Sequence, residues 1–600
     1  VALDYRGKAG VATAIGHAPI AAIIDAEAGS VLAVAEALTN IVWTPLRYGI
    51  KSVSLSANWM WPCKNPGEDA RLYQAVESCS QFARALEINI PTGKDSLSMT
   101  QKYGEDKVFS PGTVIITAIA EVSDVQKTVS PVLVNDPDTS IYYIDFSFDT
   151  QKLGGSILAQ TMNKIGHEVP TVKDPEYFKS AFAAVQELVS KELVLAGHDI
   201  SEGGMFTALL EMCFANAQGG LSVYLDDLKE KSLVVNLFAE NPGVLIQVKN
   251  KQEVEKILNA YGIGYAKLAK PISERRIDIN KKKQAYSFSI DALRDLWYRS
   301  SYLLDKKQSG EKHAWMRYQN YKNQPLSFNF KNDFRGTLSQ FGLSFKPQST
   351  GIKAAVIREK GSSGERELAY VLYLAGFEVK DVHMTDLVSG RETLEDVQMI
   401  VFSGGSSNAD VFGSGKGWAG RFLYNEKAKK ALDAFYKRTD TLSFGVGDGC
   451  SLMLRLGLIA PGNDTVPEIL PNDSAKFESA FVGVAIPENQ SIMLSSLSNS
   501  QLGAWISHDQ GKFKFPKTAH AWQVVAKYAY EAYPANPNGS EDAVAGICSA
   551  DGRHLAVMIH IERGLFPWQW AHYPADRRKN DQITPWIEAF VNARKWIEKH

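Results

Sequence analysis

The chain has few cysteines, little net charge and no long apolar run. Its five cysteines are odd in number and lack CxxC spacing; they are Cys63, Cys79, Cys213, Cys450 and Cys548. This scarcity argues against a disulfide framework or a zinc site and predicts a reducing, cytoplasmic compartment. No apolar run is long enough for a membrane span, and a formal net charge of −2 provides no field that would attract nucleic acid. We therefore expect neither a membrane nor a nucleic-acid partner.

A secretory signal is also lacking, and the chain opens with valine rather than methionine. We expect it to be the C-terminal piece of a longer protein. Its 600 residues exceed what one hydrophobic core supports. The alternation of apolar segments and turn signals predicts α/β and α+β domains in a multidomain chain. The predicted parts are two α/β subdomains, a linker rich in Lys, Asn, Gln and Ser, and a third α/β domain; they cover residues 1–130, 131–304, 305–351 and 352–600.

One apolar helix carries two hard oxygen donors. The sequence predicts a helix over Ser30–Trp43, and Glu36 and Asn40 lie four residues apart on one face of it. A carboxylate among apolar neighbours needs a partner, because burying an unpaired charge is costly. Oxygen donors one helical turn apart suit Mg²⁺. The residues alone leave a salt bridge with a helix cap as the alternative.

A second motif, His198-Asp199-Ile200-Ser201-Glu202-Gly203-Gly204, follows a predicted strand and opens a predicted helix. The free N–H groups of a helix start favour phosphate, and glycines allow close approach. Asp199, at the strand end, could hold a metal that bridges phosphates. An ordinary helix cap by Ser201 is an equally good interpretation. A weaker motif, Gly93-Lys94-Asp95-Ser96, could present Lys94 and Asp95 to an anionic substrate, but a solvated turn is the favoured interpretation.

The part after residue 352 contains three features that meet at one sheet edge. Strands alternating with helices predict a doubly wound parallel sheet, whose ligands lie beyond the carboxyl ends of the strands. A strand ending in Gly404-Gly405, a turn around Gly447 between a strand and a helix, and a strand bearing His560 and Glu562 all supply such ends. The turn has the layout of a nucleophile elbow, with His-x-Glu as the base and its orienting group. Gly447, at the tip, has no side chain.

These motifs and several longer strings resemble phosphoribosylformylglycinamidine synthase of the large, single-chain type. The strings are AEALTN from Ala35, SANWM from Ser56, PGEDARLY from Pro66, GKDSLSM from Gly93, HDISEGG from His198, DVHMTDL from Asp381, GKGWAG from Gly415 and YPANPNGS from Tyr533. The resemblance implies an aminoimidazole-ribotide-synthetase-like half followed by a flavodoxin-like class I glutamine amidotransferase domain. The N-terminal half of the family's length is missing and is an implied partner.

The resemblance implies an ATP-dependent ligase of purine biosynthesis. Its glutaminase releases ammonia from glutamine, and its synthetase part activates the amide oxygen of formylglycinamide ribonucleotide with ATP and Mg²⁺. Ammonia then displaces phosphate to form the amidine. By this resemblance Glu36, Asn40 and Asp199 are metal ligands and Ser201 contacts the nucleotide, in a site suggested to hold ATP or ADP as a tightly bound auxiliary.

The resemblance also assigns the elbow region, and here the chain departs from its family. His560 and Glu562 match the last two members of a Cys-His-Glu triad, and Gly404 and Gly405 match the oxyanion turn. Gly447 stands at the cysteine position and Ser451 at a glutamine position. Cys450 is three residues further on, and at about 100° per helical residue it should point elsewhere. We therefore expect no thioester at this site.

Two functions follow, with a third as a variant. The first is half of an amidine-forming ligase whose ammonia-supplying domain is impaired. The second is a non-catalytic nucleotide-binding scaffold or pseudoenzyme. The third is a synthase that uses ammonia and no longer needs glutamine. Intact motifs before residue 300 favour the first function, and the altered elbow favours the second for residues 352–600 only.

Overall fold

The computed structural model describes residues 1–3, 8–323, 326–462, 466–516 and 522–600. These residues form two compact units, Val1–Trp297 and Tyr298–His600. The four parts expected from the sequence stay a prediction, since the structure is divided here into two units only. In the described part of the chain, no helix combines the length and apolar character that a bilayer span requires.

The described residues of the first unit form two large sheets and one two-stranded sheet. The described strands are β1 (Gly10–His17), β2 (Ser54–Met60), β3 (Asn89–Ser96), β4 (Thr100–Tyr103), β5 (Asp106–Phe109), β6 (Thr113–Val122), β7 (Ser140–Asp145), β8 (Val194–Asp199), β9 (Gly220–Tyr224), β10 (Gly243–Val248), β11 (Tyr265–Ile272), β12 (Arg276–Lys281) and β13 (Gln284–Ser289). One large sheet has the order β1-β6-β2-β3, the other has the order β13-β12-β9-β11-β7-β10-β8, and β4 pairs with β5 in the two-stranded sheet. The segment 93–96 belongs to β3, which pairs in parallel with β2, so the predicted turn there is wrong.

The helices of this unit are α1 (Pro19–Ile24), α2 (Ala26–Ile41), α3 (Glu68–Ala85), α4 (Ile157–Thr161), α5 (Pro175–Ser190), α6 (Gly204–Phe214), α7 (Leu233–Phe238) and α8 (Lys251–Ala260). Helix α2 begins where the Asp25 carboxylate accepts the Ala28 N–H at 3.0 Å. Its run of Ala, Val and Leu is buried on nearly every side, and it packs against β1, β6 and α3. This burial explains why its periodicity is weak and why a polar residue on it needs a specific partner.

Helix α9 (Ile290–Asn320) continues to residue 320, where the sequence predicts an irregular linker from residue 305. Gly310, with φ 77° and ψ 163°, interrupts it. Tyr302 and Tyr318 stack with ring centroids 4.9 Å apart across this kink, and Trp315 meets both rings. The aromatic residues look isolated in the sequence because the kink, rather than helical spacing, brings them together.

The second unit is built on one large sheet. The described strands are β14 (Lys353–Arg358), β15 (Ser362–Ser363), β16 (Glu378–His383), β17 (Met399–Phe402), β18 (Gly404–Gly405), β19 (Leu442–Val446), β20 (Glu468–Pro471), β21 (Glu478–Ile486), β22 (Ser500–His508), β23 (Gln510–Lys514), β24 (Trp522–Tyr528), β25 (Val544–Ser549) and β26 (His554–Val557). The helices that follow α9 are α10 (Glu365–Ala375), α11 (Met384–Ser389), α12 (Lys416–Leu423), α13 (Glu426–Lys437), α14 (Asp448–Arg455) and α15 (Ile587–Ile597).

The strand order of this sheet is β16-β14-β17-β19-β26-β25-β24-β21-β22. Its first five strands are parallel, and the remaining pairs are antiparallel. The predicted doubly wound sheet is therefore confirmed and continues into an antiparallel extension. Strands β17, β19 and β26 are neighbours, so Gly404, Gly447 and His560 all follow strand ends at one edge, as the sequence predicts.

Candidate functional site

The turn after β19 has the backbone of a nucleophile elbow. Gly447 takes φ 57° and ψ −113°, and α14 begins at the next residue. Its N–H donates to the Val557 carbonyl at 2.9 Å, which holds the turn against the end of β26. A Cβ placed on Gly447 would lie 3.6 Å from the Gly404 Cα and 3.7 Å from the His560 Nε2. These are ordinary van der Waals distances, so the position has room for a side chain directed at the imidazole.

His560 and Glu562 form the expected pair but not on the expected strand. β26 ends at Val557, and Ile561–Arg563 is a 3₁₀ turn, so the prediction of one strand is wrong. The His560 N–H donates to the Trp505 carbonyl at 2.8 Å, and this bridge to β22 fixes where the chain turns. The His560 Nδ1 lies 2.7 Å from the Glu562 Oε1, with both side chains almost completely buried. The carboxylate orients the ring and leaves Nε2 toward the elbow.

The Gly404-Gly405 turn forms the facing wall. Gly404 and Gly405 pair with Ser363 and Ser362 in a short antiparallel ladder. Gly405 has φ 99°, and a Cβ there would lie 2.5 Å from the Ser363 nitrogen, so only glycine fits. The turn, the elbow and His560 surround a cavity of about 280 Å³. We call this space the elbow cavity; Gly405, Ser406, Asp410, Asp448, His508 and His560 are among its lining residues.

Polar side chains support the altered elbow from behind. The Asp448 carboxylate accepts the Ser407 N–H at 3.1 Å and the Ser414 hydroxyl at 2.7 Å. The Ser414 hydroxyl also lies 2.9 Å from the hydroxyl of Ser451. Burial is the main reason that the pKa of Asp448 is raised. These contacts hold Ser451, which stands at the family's glutamine position, and its neighbour Asp448 in a buried polar network.

Cys450 lies away from the elbow cavity. It is fully buried in the apolar cluster that includes Phe402, Leu452 and Met558. Burial raises the pKa of its thiol far above the ordinary value, and the charge of Asp448 raises it further. A thiol that is neither exposed nor ionised is a poor nucleophile. The expectation that Cys450 does not replace the missing nucleophile agrees with this placement.

The first unit contains a second cavity, of about 290 Å³, beside α2. We call it the helix cavity; His17, Glu36, Ser201, Glu202 and Glu240 are among the residues that line it. The Glu36 carboxylate accepts the His17 N–H at 2.7 Å and the Ser201 hydroxyl at 2.9 Å. Burial raises the pKa of Glu36, and the charge of Asp199 acts in the same direction. The structure thus brings Glu36, Ser201 and Asp199 together from distant segments.

The other predicted residues of this region are placed as follows. Asn40 is exposed, and its Nδ2 donates to the Ile15 carbonyl at 3.2 Å. Asp199 is buried, with its Oδ1 3.5 Å from the His198 Nδ1. Neither the salt bridge nor the cap offered as alternatives describes what is found. Glu36 is held by a backbone N–H and a hydroxyl, and α6 has Gly203, with φ 86°, as its cap residue instead of Ser201.

Glu240 is a site residue that sequence reasoning missed. Its Oε1 accepts the Gly203 N–H at 2.7 Å and the Ile157 N–H at 2.8 Å, so it occupies the start of α6. Burial raises its pKa to about 7. The local sequence offers only a glutamate two residues before Pro242, in a loop before β10. Its partners lie 37 and 83 positions away in the sequence, which no local pattern could reveal.

Metal binding has partial support from these side chains. Two mutually repelling carboxylates and a nearby amide are hard oxygen donors of the kind that Mg²⁺ takes. Among the described residues, however, no group of three or more His, Cys, Asp and Glu side chains is arranged to hold a metal ion. The donor set therefore fits Mg²⁺ only if Asn40 completes it.

Three family models match successive parts of the chain. They describe a FGAR-AT PurM_N-like domain at residues 1–121, the C-terminal domain of AIR synthase related proteins at residues 147–280, and a CobB/CobQ-like glutamine amidotransferase domain at residues 351–597. The chain is thus an AIR-synthase-related part followed by a glutamine amidotransferase domain.

Relatives along the whole chain narrow this class. The probable phosphoribosylformylglycinamidine synthase of Caenorhabditis elegans is 37% identical over 645 residues, covering 99% of this chain and 48% of the relative. The phosphoribosylformylglycinamidine synthase of Homo sapiens is 36% identical over 638 residues, covering 99% and 46%. The chain is therefore a homologue of phosphoribosylformylglycinamidine synthases and spans about half the length of these relatives. A solved structure of T. maritima PurL complexed with FGAR is 15% identical, covers 49% of this chain and 47% of that chain, and gives a TM-score of 0.41.

Proposed function

We propose that this chain is about half of an ATP-dependent ligase that converts formylglycinamide ribonucleotide to formylglycinamidine ribonucleotide, and that its glutaminase site does not react with glutamine. The relatives support the first part. The second rests on one observation: Gly447 faces the His560 Nε2 at the elbow without a side chain. The rest of the glutaminase machinery is present as the paired His560 and Glu562 and the Gly404-Gly405 turn.

His560 is placed to act as the base for a thiol at residue 447. An imidazole oriented by Glu562 can take a proton from a thiol at residue 447 and return it to the departing ammonia. Without that thiol, no covalent bond to the carbonyl carbon of glutamine can form at this position. Nitrogen must then come from ammonia that is free in solution or supplied by a partner.

We further propose that the helix cavity belongs to the nucleotide side of the reaction. Glu36, Asn40 and Asp199 would hold Mg²⁺, which would neutralise phosphate charge, and the Ser201 hydroxyl would contact ATP or ADP. The raised pKa values of Glu36 and Asp199 support a cation there, because a positive charge would relieve the burial of two carboxylates. We assign this nucleotide an auxiliary role, as the resemblance suggests. Five free cysteines support a reducing compartment such as the cytoplasm.

The competing function is a nucleotide-binding scaffold without turnover. The buried network of Asp448, Ser414 and Ser451 favours it for the second unit, because Ser451, at the family's glutamine position, is engaged in a polar network behind the elbow. The retained His560–Glu562 pair favours the ligase with a silent glutaminase.

The test is amidine formation by the full-length protein that carries this chain, with glutamine or ammonium chloride as the nitrogen source. We expect product with ammonium chloride and none with glutamine. Product with glutamine would contradict the silent glutaminase. Absence of product with either source, in protein that binds ATP, would favour the scaffold.

A further inference from the structure

The carboxylate of Glu562 is buried with only one of its oxygens paired. Its Oε1 lies 2.7 Å from the His560 Nδ1, and its Oε2 has no hydrogen-bond partner among the described residues. Only 1% of Glu562 is exposed to solvent. A buried carboxylate takes up a proton more readily unless a positive charge nearby compensates for the lost water. The charges around Glu562 therefore decide whether it is ionised.

Arg563 supplies a positive charge next to this carboxylate. Its Nε lies 3.7 Å from the Glu562 Oε1 and is itself buried without a hydrogen-bond partner in the described part of the chain. In the segments that the structure describes, Arg563 and His560 are the only basic side chains within ion-pair range of Glu562. A guanidinium is always charged in proteins, whereas an imidazole loses its charge near neutral pH. Arg563 is therefore the permanent counter-charge of Glu562.

Further contacts hold Arg563 beside the carboxylate. Its Nη2 donates to the Ser363 hydroxyl at 3.4 Å, and its Nε lies 3.8 Å from the Glu367 Oε1 on α10. Gly364, the residue before α10, takes φ 88°, and a Cβ there would lie 3.2 Å from the Arg563 Nη2. Glycine at this position thus leaves space for the guanidinium. The charge of Arg563 is shared by two glutamates, of which only Glu562 is bonded to the imidazole.

The charge of Glu562 sets which nitrogen of His560 carries a proton. An ionised carboxylate only accepts hydrogen bonds, so the neutral ring bears its proton on Nδ1 and leaves Nε2 as an acceptor facing the elbow. A protonated carboxyl would instead donate to Nδ1, and the ring proton would then lie on Nε2. In that second state the imidazole could not take a proton from a group at the elbow.

We propose that Arg563 is a positioning residue that keeps Glu562 ionised and thereby holds the ring proton of His560 on Nδ1. Arg563 acts through Glu562 rather than on a reacting atom. The two contacts that carry this role are the 2.7 Å bond from His560 to Glu562 and the 3.7 Å approach of Arg563 to the same oxygen. This inference goes beyond the proposed function, because the position of the proton does not depend on whether glutamine reacts.

The experiment is nitrogen NMR of the chain with isotope-labelled histidine, at about pH 8.5, where an imidazole is neutral. This method distinguishes protonated from unprotonated ring nitrogens, and His560→Gln identifies the His560 signals by their loss. Arg563→Met removes the charge and keeps the length of the side chain, and Arg563→Lys restores the charge. Glu367→Gln is the matched control, since it removes the other partner of Arg563 and leaves the charge beside Glu562. Thermal unfolding identifies any loss of folding, and Arg563→Gln decides the test if Arg563→Met is unstable.

We expect the parent, Arg563→Lys and Glu367→Gln to show His560 with its proton on Nδ1 and with Nε2 unprotonated. In Arg563→Met the ratio of the Nε2-protonated to the Nδ1-protonated ring should rise at least about tenfold, because a close opposite charge favours an ionised carboxyl by roughly ten- to a thousandfold. The proposal is overturned if Arg563→Met keeps the signals of the parent. It is also overturned if Glu367→Gln changes them as much, because Arg563 would then act only by tying the turn to α10. The silence of the glutaminase is judged separately, by glutamate release.

Discussion

A Cβ built on Gly447 would lie 3.7 Å from the Nε2 of His560, and apart from its two chain neighbours no heavy atom of the described residues would be closer to it than 3.6 Å. The base is therefore already placed for a side chain that the elbow does not have. The same imidazole is fixed from its other side by Glu562 at 2.7 Å. A thiol at this position would therefore meet an imidazole that is already oriented toward it.

Gly447→Cys should create glutaminase activity. A thiol at this position would be deprotonated by His560 and would face the Gly404-Gly405 turn. We expect glutamate release to rise at least about a hundredfold over the parent. Misplacing a reacting atom by roughly 1 Å can cost that factor, and the parent has no reacting atom at this position. Glutamate release is measured by a coupled assay. Gly447→Ala is the matched control, since it adds a Cβ without a thiol. Equal rates in the cysteine and alanine variants would show that Asp448 or Ser451 has disabled the site as well.

Cys450 should resist alkylation in the folded protein. Its thiol is fully buried, and its raised pKa keeps it protonated at neutral pH. Short exposure to iodoacetamide, followed by peptide mass spectrometry, should modify the partly exposed Cys63 before Cys450. Denatured protein, in which both thiols are accessible, is the control. Preferential labelling of Cys450 in the native state would contradict its assignment as a structural residue.

Glu36→Gln should weaken magnesium-dependent nucleotide retention. The amide keeps the size of the side chain but removes the charge that would hold the cation. We expect the dissociation constant for ATP to rise about tenfold with Mg²⁺ present, and to change little when EDTA is added. Glu27→Gln, on the exposed face of the same helix, provides the comparison. The metal assignment is wrong if both variants retain Mg-nucleotide equally well.

Glu240→Gln should change how stability depends on pH. The folded-state pKa of Glu240 is about 7, above its ordinary value of 4.5, so folding favours the protonated form. Its contribution is fully present below pH 4.5 and is lost as pH rises through about 7. The variant should therefore gain stability relative to the parent between pH 5 and pH 8, by up to about 3 kcal/mol.

Urea unfolding of the two proteins at both pH values, without nucleotide, measures this difference. Glutamine can accept the same two backbone N–H groups, so the hydrogen bonds of Gly203 and Ile157 should survive the substitution. A constant difference between pH 5 and pH 8 would show that Glu240 titrates normally in the folded protein.

Local patterns predicted the scaffold well because parallel strands place their ends together. Gly404, Gly447 and His560 were expected at one sheet edge for that reason, and the structure has them there. The His560–Glu562 pair was also expected, but through strand alternation. The actual turn depends on the bridge from His560 to Trp505, a residue that lies 55 positions earlier in the chain.

The polar side chains that line the helix cavity and the elbow cavity could not be predicted from strand order or local motifs. Glu240 reaches two helix starts through tertiary packing, and His508 ends a strand whose alternation gives no hint that its ring nitrogens lack hydrogen-bond partners among the described residues. Asp410 ends a short 3₁₀ segment, Ser407–Asp410, to which no sequence motif points. Such residues acquire their character from burial, which depends on the whole fold rather than on spacing.

The backbone of Gly447 has a consequence for how this site changes over generations. At φ 57° an L-residue suffers steric strain of roughly 1–2 kcal/mol, which glycine escapes. A cysteine at this elbow would thus make the fold less stable, and only selection for glutamine use could maintain it. Once that selection lapses, glycine is favoured by stability alone. A chain with glycine at residue 447 is not easily returned to cysteine by random drift, although the two forms differ at a single codon.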